Sequence, residues 1–293
     1  MPLAAVPEMI GRARAGGYAI GYFESWNLES LYGVIEAAEQ ASAPIIIGFN
    51  GEFLSHAGRI AAERLAWYGT LVRVAASDAK VPCAVIFNEC AQDDWTRAAV
   101  TAGFNLVMPA DAAAAYDAYR QRVAALAEYA HAHGVAIEAE LGELPSGVAE
   151  GHASAPTDPE GARAFVAATG VDLLAVSVGN VHIALSGATA LDLEHLAAIR
   201  RRVDIPLVLH GGTGIAEASL RQAVALGVAK VNYGTGLKQR YLAAIRRALA
   251  TDEANPHVLL GLGGPEDIML AGRQAVRDAV LERLPALGCI GKA

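Results

Sequence analysis

His210 opens the run His210-Gly211-Gly212-Thr213-Gly214, directly after the apolar stretch Pro206-Leu207-Val208-Leu209. A strand ending in an imidazole and then in glycines sets a metal-capable nitrogen beside backbone that a ligand can approach closely. His182 closes a comparable stretch, Leu173 to Val181. Two imidazoles delivered to one rim by two strand ends point to a metal site on an α/β scaffold. Glu89 ends a third apolar run, Pro82 to Cys90. One carboxylate with two imidazoles would hold a divalent ion and leave coordination positions open for substrate. The competing reading makes each histidine a hydrogen-bonded structural residue and Glu89 a salt-bridged rim residue.

Other strand ends carry polar residues too. They are Glu24, Asn50, Asn88, Asp111, Glu138 with Glu140, Asn180, and Asn232 with Thr235. So many convergent polar groups in an apolar chain need partners, because burying them unpaired is costly. Cys90 follows Glu89, and side chains of adjacent extended residues diverge, so a buried apolar thiol is its expected role, with replacement of Glu89 as ligand the alternative. His131 and His133 lie at a helix end before Gly134, where cations suit the helix dipole, and are expected to point away from the rim. Gly211 to Gly214 leads toward a helix beginning near Ile215, and Asn232-Tyr233-Gly234-Thr235-Gly236 adds a second glycine-rich turn. Two such turns beside each other suit an anion, with Gly211, Thr213, Asn232 and Thr235 as contacts; Asn50 and Gly179 join them as candidate substrate contacts. Tight strand-to-helix turns alone would also explain the glycines.

The elements that would carry these residues alternate. Eight apolar runs stand out: Tyr18 to Phe23, Pro44 to Phe49, Pro82 to Cys90, Asn105 to Ala110, Ala136 to Leu141, Asp172 to Val178, Pro206 to Gly212, and Lys230 to Gly236. Most are continuous rather than alternating, as strands covered on both faces are. Helical segments lie between them, among them Trp26 to Ala43, Ala57 to Ala79, Ala112 to His133 and Ala216 to Leu226, and glycines such as Gly103, Gly134, Gly170 and Gly227 stop several. Eight strand–helix units predict a (β/α)8 TIM barrel, an α/β fold, spanning 1–293 as one domain, with extra helix and loop from Asn255 to Lys292. A doubly wound open sheet is the alternative, disfavoured because no G-x-G-x-x-G follows the first strand.

The chain has 293 residues, 54% hydrophobic and 18% charged, with a net charge of -8. It can bury a large core, and the acidic balance argues against nucleic acid; Arg200-Arg201-Arg202 sits at a helix end where cations are favoured. Three cysteines give no disulfide framework and suit a reducing, cytoplasmic setting. No stretch has signal-peptide or membrane-spanning character.

Several segments stand in order along nearly the whole chain: Val135 to Gly142, Thr157-Asp158-Pro159-Glu160, Thr169 to Asp172, Leu174-Ala175-Val176, Gly179-Asn180-Val181-His182, Leu207 to Gly214, and Lys230-Val231-Asn232 with Thr235. Together they resemble the class II, metal-dependent ketose-bisphosphate aldolases, the group of fructose- and tagatose-bisphosphate aldolases. The resemblance implies a barrel lyase whose divalent metal, usually zinc, polarises a ketose carbonyl and stabilises the enediolate left by carbon–carbon cleavage. It implies that His182 and His210 bind metal, that Gly211 and Thr213 cradle phosphate, and that Asn232 and Thr235 contact substrate.

The departures are chemical. The family's third strand ends in Asp-His-Gly, the aspartate handling a proton and the histidine ligating metal; here Asn88, Glu89 and Cys90 stand there. Asn88 cannot take and return a proton, though it can hydrogen-bond a substrate hydroxyl or oxyanion. Glu89 hardens the ligand set, so manganese, cobalt or magnesium join zinc as candidates. Ile183 and Ser186 replace a glycine and a lysine that serve phosphate, and Glu24 replaces an asparagine. The substrate therefore lacks the phosphate at that end or holds it more weakly. Proton transfer falls to Glu150 on the loop from Gly142 to Pro156, then to Glu143, then to Glu24.

The sequence thus predicts metal-dependent aldol cleavage or condensation of a sugar or sugar phosphate by a cytoplasmic enzyme, a homodimer or homotetramer by analogy, with no nucleic-acid or membrane partner. The alternatives are a metal-dependent isomerase or epimerase on the same scaffold, and a non-catalytic companion subunit.

Overall fold

The computed structural model describes residues 3–111, 114–142, 155–181 and 187–293. Eight parallel strands close into a barrel in sequence order: β1 (Ile20–Ser25), β2 (Ile45–Asn50), β3 (Cys83–Cys90), β4 (Leu106–Pro109), β5 (Ala136–Leu141), β6 (Leu173–Val176), β7 (Leu207–Leu209) and β8 (Val228–Tyr233). β1 closes the barrel on β8, with Tyr22 opposite Asn232. The TIM-barrel expectation is met. The largest overshoots of the apolar runs are at the C-terminal ends of β7, which stops at Leu209, and β8, which stops at Tyr233. The residues beyond those stops are the turns that build the mouth.

Helices cover the outside: α1 (Val6–Gly16), α2 (Leu28–Ala41), α3 (Gly51–Leu54), α4 (Leu65–Asp78), α5 (Asp93–Ala102), α6 (Tyr116–Ala132), α7 (Pro159–Thr169), α8 (Leu193–Arg200), α9 (Glu217–Ala225) and α10 (Thr235–Ala248). After them come α11 (Pro256–Leu259), α12 (Ile268–Leu281) and α13 (Leu284–Leu287). Caps fix where several begin: Asn27 and Ser30 form a reciprocal capping box on α2, and Asp158 caps α7 with proline at its start. The tail expected to be helical is so, and α12 packs against α2 and α10, the helices that follow β1 and β8.

One element shows in the sequence only through its stop signal, Gly16-Gly17. α1 precedes the first strand, and the segment before it bonds to strand bottoms: Ala4 N–H donates to Cys83 O at 2.7 Å, and Asn105 Nδ2 donates to Ala4 O at 2.8 Å. At the same end His131 contacts Asp172 at 2.9 Å, away from the mouth as expected.

The core is apolar and continuous, filled by Ile46, Phe49, Ile86, Phe87, Val107, Ile137, Leu174 and Val208 among others. Within it lies an ion pair at 0% exposure, Lys230 with Glu138. β5 and β8 are not neighbours in the sheet, so this contact crosses the barrel interior.

Candidate metal and substrate site

Period-two spacing puts Glu138 and Glu140 of β5 on one face, and Lys230 and Asn232 of β8 likewise. Both pairs point into the barrel. Lys230 Nζ lies 2.7 Å from Glu138 Oε2 and donates to Asn232 Oδ1 at 2.6 Å. Glu138 Oε1 lies 3.1 Å from His210 Nε2. A chain of contacts therefore runs from a buried ammonium through a buried carboxylate to the imidazole, and fixes the ring's orientation.

The other face of that ring meets two more carboxylates. His210 Nδ1 is 2.8 Å from Glu140 Oε2 and 3.4 Å from Glu89 Oε1. Glu89 arrives by an unusual route. The β3–β4 register shifts between Phe87 and Cys90, and Glu89 takes φ 53 in the left-handed region. Ser42, the other described non-glycine residue there, ends a helix, where such a conformation is ordinary. Glu89 has no helix to end. A bulge re-aims its side chain into the mouth, and the conformation stores strain of about 1 kcal/mol at a candidate functional residue. Asn50 Nδ2 holds its other oxygen at 2.7 Å. Cys90 turns elsewhere: its thiol donates to Gln92 O at 3.3 Å, and burial pushes its pKa up.

Electrostatics follow from this packing. Burial opposes charge on His210, but Glu140 foremost, with Glu138 and Glu89, pushes its pKa up to about 10. Burial alone would raise Glu138; Lys230 and then His210 reverse that and hold it below the usual carboxylate range. Burial lowers Lys230, against the pull of Glu138.

Among the described residues no three His, Cys, Asp or Glu side chains stand ready-made around one metal position. The donor chemistry nonetheless fits a divalent ion. Donors bound at about 2.1 Å lie roughly 3.0 Å apart in octahedral and 3.4 Å apart in tetrahedral geometry. The 3.4 Å between His210 and Glu89 lies in that range, and the 2.8 Å to Glu140 is slightly shorter, as expected of direct ionic contact. The structure thus brings Glu89 and His210 together and adds Glu140, which the sequence placed at the mouth without choosing it. His182, Glu143, Glu150, Ile183 and Ser186 lie outside the described residues.

Two buried amide groups face the mouth with hydrogen-bonding capacity left over. Asn88 Oδ1 and Asn232 Nδ2 have no partner among the described residues. Asn232 Oδ1 is committed to Lys230, so its amide points a donor outward. Asn180 plays a different part, tying two strand ends together: it accepts from Val178 N–H at 2.9 Å and donates to His210 O at 3.1 Å. Gly179 beside it has φ 92.

The glycine turns differ in detail from the expectation. Gly211 is left-handed at φ 69, and Gly212 to Gly214 form a separate 3₁₀ turn, with α9 starting only at Glu217. The glycine run is therefore not itself the N-terminus of α9, because Thr189 bonds across Gly214 and Ala216 and separates the two. Thr235 opens α10 rather than ending a strand, and Thr213 Oγ1 accepts from Gly236 N–H at 3.3 Å, latching the two turns. A Cβ on Gly212 would meet Tyr233 and Val231 side-chain carbons at 2.7 Å, so this position needs glycine for close approach.

Glu24 stands apart from the His210 group. Its Oε1 pairs with Lys238 Nζ at 2.5 Å. Sequence reasoning missed Lys238. The available signal was a cation in the first turn of a helix, where the dipole opposes it and a nearby anion is needed.

Comparison with known proteins bears on the family and the fold. Residues 4–292 match the family model described as fructose-bisphosphate aldolase class-II. The chain is 32% identical over 302 residues to the fructose-bisphosphate aldolase of Geobacillus stearothermophilus, covering 100% of this chain and 99% of that one. Among solved structures, the YdjI aldolase of Escherichia coli K12 superposes with a TM-score of 0.83 at 30% identity, over 99% of both chains. The fructose-bisphosphate aldolase of Campylobacter jejuni, 22% identical with a TM-score of 0.77 over 98% of this chain and 95% of that one, shares the fold.

Proposed function

This chain belongs to the class II fructose-bisphosphate aldolase family, and from that premise we propose a particular division of labour at its mouth. The enzyme is a metal-dependent aldol lyase. Its substrate is a ketose or ketose phosphate, cleaved between the carbon next to the carbonyl and the neighbouring carbinol carbon, with the electron pair left as an enediolate. Glu89, His182 and His210 hold the divalent cation, with Glu140 beside them. Zinc is the first candidate, and the two carboxylates widen the choice to manganese, cobalt or magnesium. The cation supplies Lewis acidity to the ketose carbonyl.

The remaining roles belong to the chain. Lys230 and Glu138 hold the His210 ring so that Nδ1 faces the donors. Asn50 orients Glu89. Asn88 Oδ1 accepts from a substrate hydroxyl, and Asn232 Nδ2 donates to a substrate oxygen. Gly179, Gly211, Thr213 and Thr235 shape the wall against which the substrate end rests. Asn88 cannot carry the proton of the cleaved hydroxyl, so a carboxylate takes it: Glu150 first, Glu143 second. One catalytic domain covers 1–293, in a cytoplasmic homodimer or homotetramer. No helix among the described residues is long and apolar enough to cross a membrane.

The observation that carries this reading is the approach of two carboxylates to one buried imidazole nitrogen, Glu140 at 2.8 Å and Glu89 at 3.4 Å from His210 Nδ1. Metal analysis with a product screen over free and phosphorylated ketoses tests it. Wild type should hold one divalent ion per chain and release two shorter fragments. His210→Ala should lose the metal and about 10³-fold or more in kcat/KM while keeping its circular dichroism. Metal retained in that variant removes the proposed site. A single isomer returned makes the protein an epimerase, and a metal-free wild type makes it a companion subunit.

A further inference from the structure

The turns after β7 and β8 meet at Thr213 and Gly236, and β8 passes through Gly234 into the N-terminus of α10. Backbone of this kind, with N–H groups directed outward, attracts anions. Here the chain brings an anion of its own. Glu24, from β1, lays its carboxylate against Gly234, where a Cβ would come within 2.3 Å of Glu24 Oε2. Without a Cβ, Gly234 leaves the room that the Glu24 carboxylate occupies. The Glu24 side chain is only 10% exposed. The N-cap residue of α10, Gly234, has no side chain of its own, and the Gly236 N–H is already engaged by Thr213.

The cation that faces Glu24 is engaged as well. Lys238 Nζ sits 2.5 Å from Glu24 Oε1 and 4.0 Å from the Phe53 ring centroid, with Trp26 at 5.8 Å. A lysine in the first turn is opposed by the helix dipole, and Glu24 offsets that. Carboxylate, lysine and two aromatic rings thus form one wall of the mouth.

We propose that Glu24 is a specificity-determining residue that stands where a substrate phosphate would meet the α10 N-terminus, so the substrate end lying there is uncharged and hydroxyl-bearing. The inference rests on the aldol reading of this same site and narrows its substrate class to ketoses without phosphate at that end. A phosphate monoester carries about -1.5 to -2 charge near neutral pH. Entering here, it would have to sit against a buried carboxylate whose lysine is already committed. A hydroxyl meets no such repulsion and can donate to the same carboxylate.

Inorganic phosphate binding to the metal-loaded enzyme, measured by calorimetry for wild type, Glu24→Gln and Glu24→Asp, tests the assignment beside kcat/KM for free ketoses and their terminal phosphates. Glu24→Gln keeps the shape and removes the charge. It should tighten phosphate binding about tenfold or more and shift the phosphorylated-to-free kcat/KM ratio upward, whereas Glu24→Asp, which keeps the charge, should not tighten phosphate binding. A smaller change in Glu24→Gln overturns the assignment. If that variant does not fold, wild type decides: a phosphate Kd below about 1 mM overturns the assignment, and a weaker one upholds it. Tightened phosphate binding with no ketose cleaved would leave the role of Glu24 standing and remove the aldol reading; cleavage without tightening would do the reverse.

Discussion

Two glutamate–lysine pairs face into the same barrel. Glu138 and Lys230 are both 0% exposed and cross the interior at 2.7 Å. Glu24 and Lys238 meet at 2.5 Å on the β1–β8 side, with side chains 10% and 31% exposed. The groups and the separations are alike, and burial separates their consequences. The inner pair is sealed from water, so either member alone would be an uncompensated buried charge. It acts as scaffold, and what it supports is the His210 ring. The rim pair is partly solvated, so solvent screens whatever is lost when it moves. A pair that solvent and substrate can reach suits ligand selection; one sealed from both suits the positioning of a metal ligand.

Removing one member of the inner pair gives the largest effect that sharpens this contrast. Lys230→Met should cost about 3–5 kcal/mol in urea denaturation, because Glu138 is stranded, and Lys230→Met with Glu138→Leu should recover most of it. A loss under about 1 kcal/mol would show that the inner pair is no more essential than a surface one. The same cluster responds to pH. In the metal-free protein the folded-state pKa of His210 is raised to about 10 by Glu140, Glu138 and Glu89 against burial. That contribution to stability is fully present below the unfolded-state value near 6.5 and is lost as pH rises through about 10. The denaturation midpoint of metal-free wild type should therefore fall over that window, and His210→Ala should lack this component. Metal binding competes for the same nitrogen, so it should release a proton near neutral pH, detectable with an indicator dye.

How much of this was legible in the sequence depends on whether a local signal existed. Period-two spacing already put Glu138 with Glu140, and Lys230 with Asn232, on shared faces, and the alternation of strand and helix gave the barrel. The contact from Glu138 to Lys230 had no local signal, since β5 and β8 meet only once the barrel closes. Ligand candidacy of Glu89 was readable from its place in an apolar run, but its left-handed backbone and the bulge that aims it were not, because the turn-forming residue there is Asn88 and the left-handed one is Glu89. The glycines after His210 read as a helix entrance. The structure makes them a separate 3₁₀ turn, because Thr189 of a distant segment claims the backbone that would have joined them to α9.

Glu89 offers a prediction of middle size. In Glu89→Gly the backbone strain is relieved and a donor to the metal is lost together. Loss of a mere supporting contact costs 10–100-fold in metal affinity, so loss of this carboxylate should cost about a hundredfold or more. Metal-free stability should stay within about 1 kcal/mol of wild type, since the freed φ offsets the lost hydrogen bond to Asn50. Titration with a fluorescent zinc competitor and urea melts of the metal-free variant separate the two. Unchanged metal affinity would leave the bulge without a functional reason.

The smallest effect belongs to the rim. Gly234→Ala puts a Cβ where Glu24 Oε2 now lies, 2.3 Å away. The obstructing atom ends a flexible side chain, so the carboxylate can swing out toward water and the backbone need not shift. The expected cost is about 1 kcal/mol or less, within the range of partly exposed ion pairs. In a Glu24→Ala background the same substitution should cost nothing, because the space is then open, and the double-mutant cycle reads that coupling directly. A cost above about 3 kcal/mol, or one that persists without Glu24, would place the strain in the backbone turn and not in the carboxylate. The rim pair would then be as rigid as the inner one, and the division between scaffold and selector would fail at its weaker half.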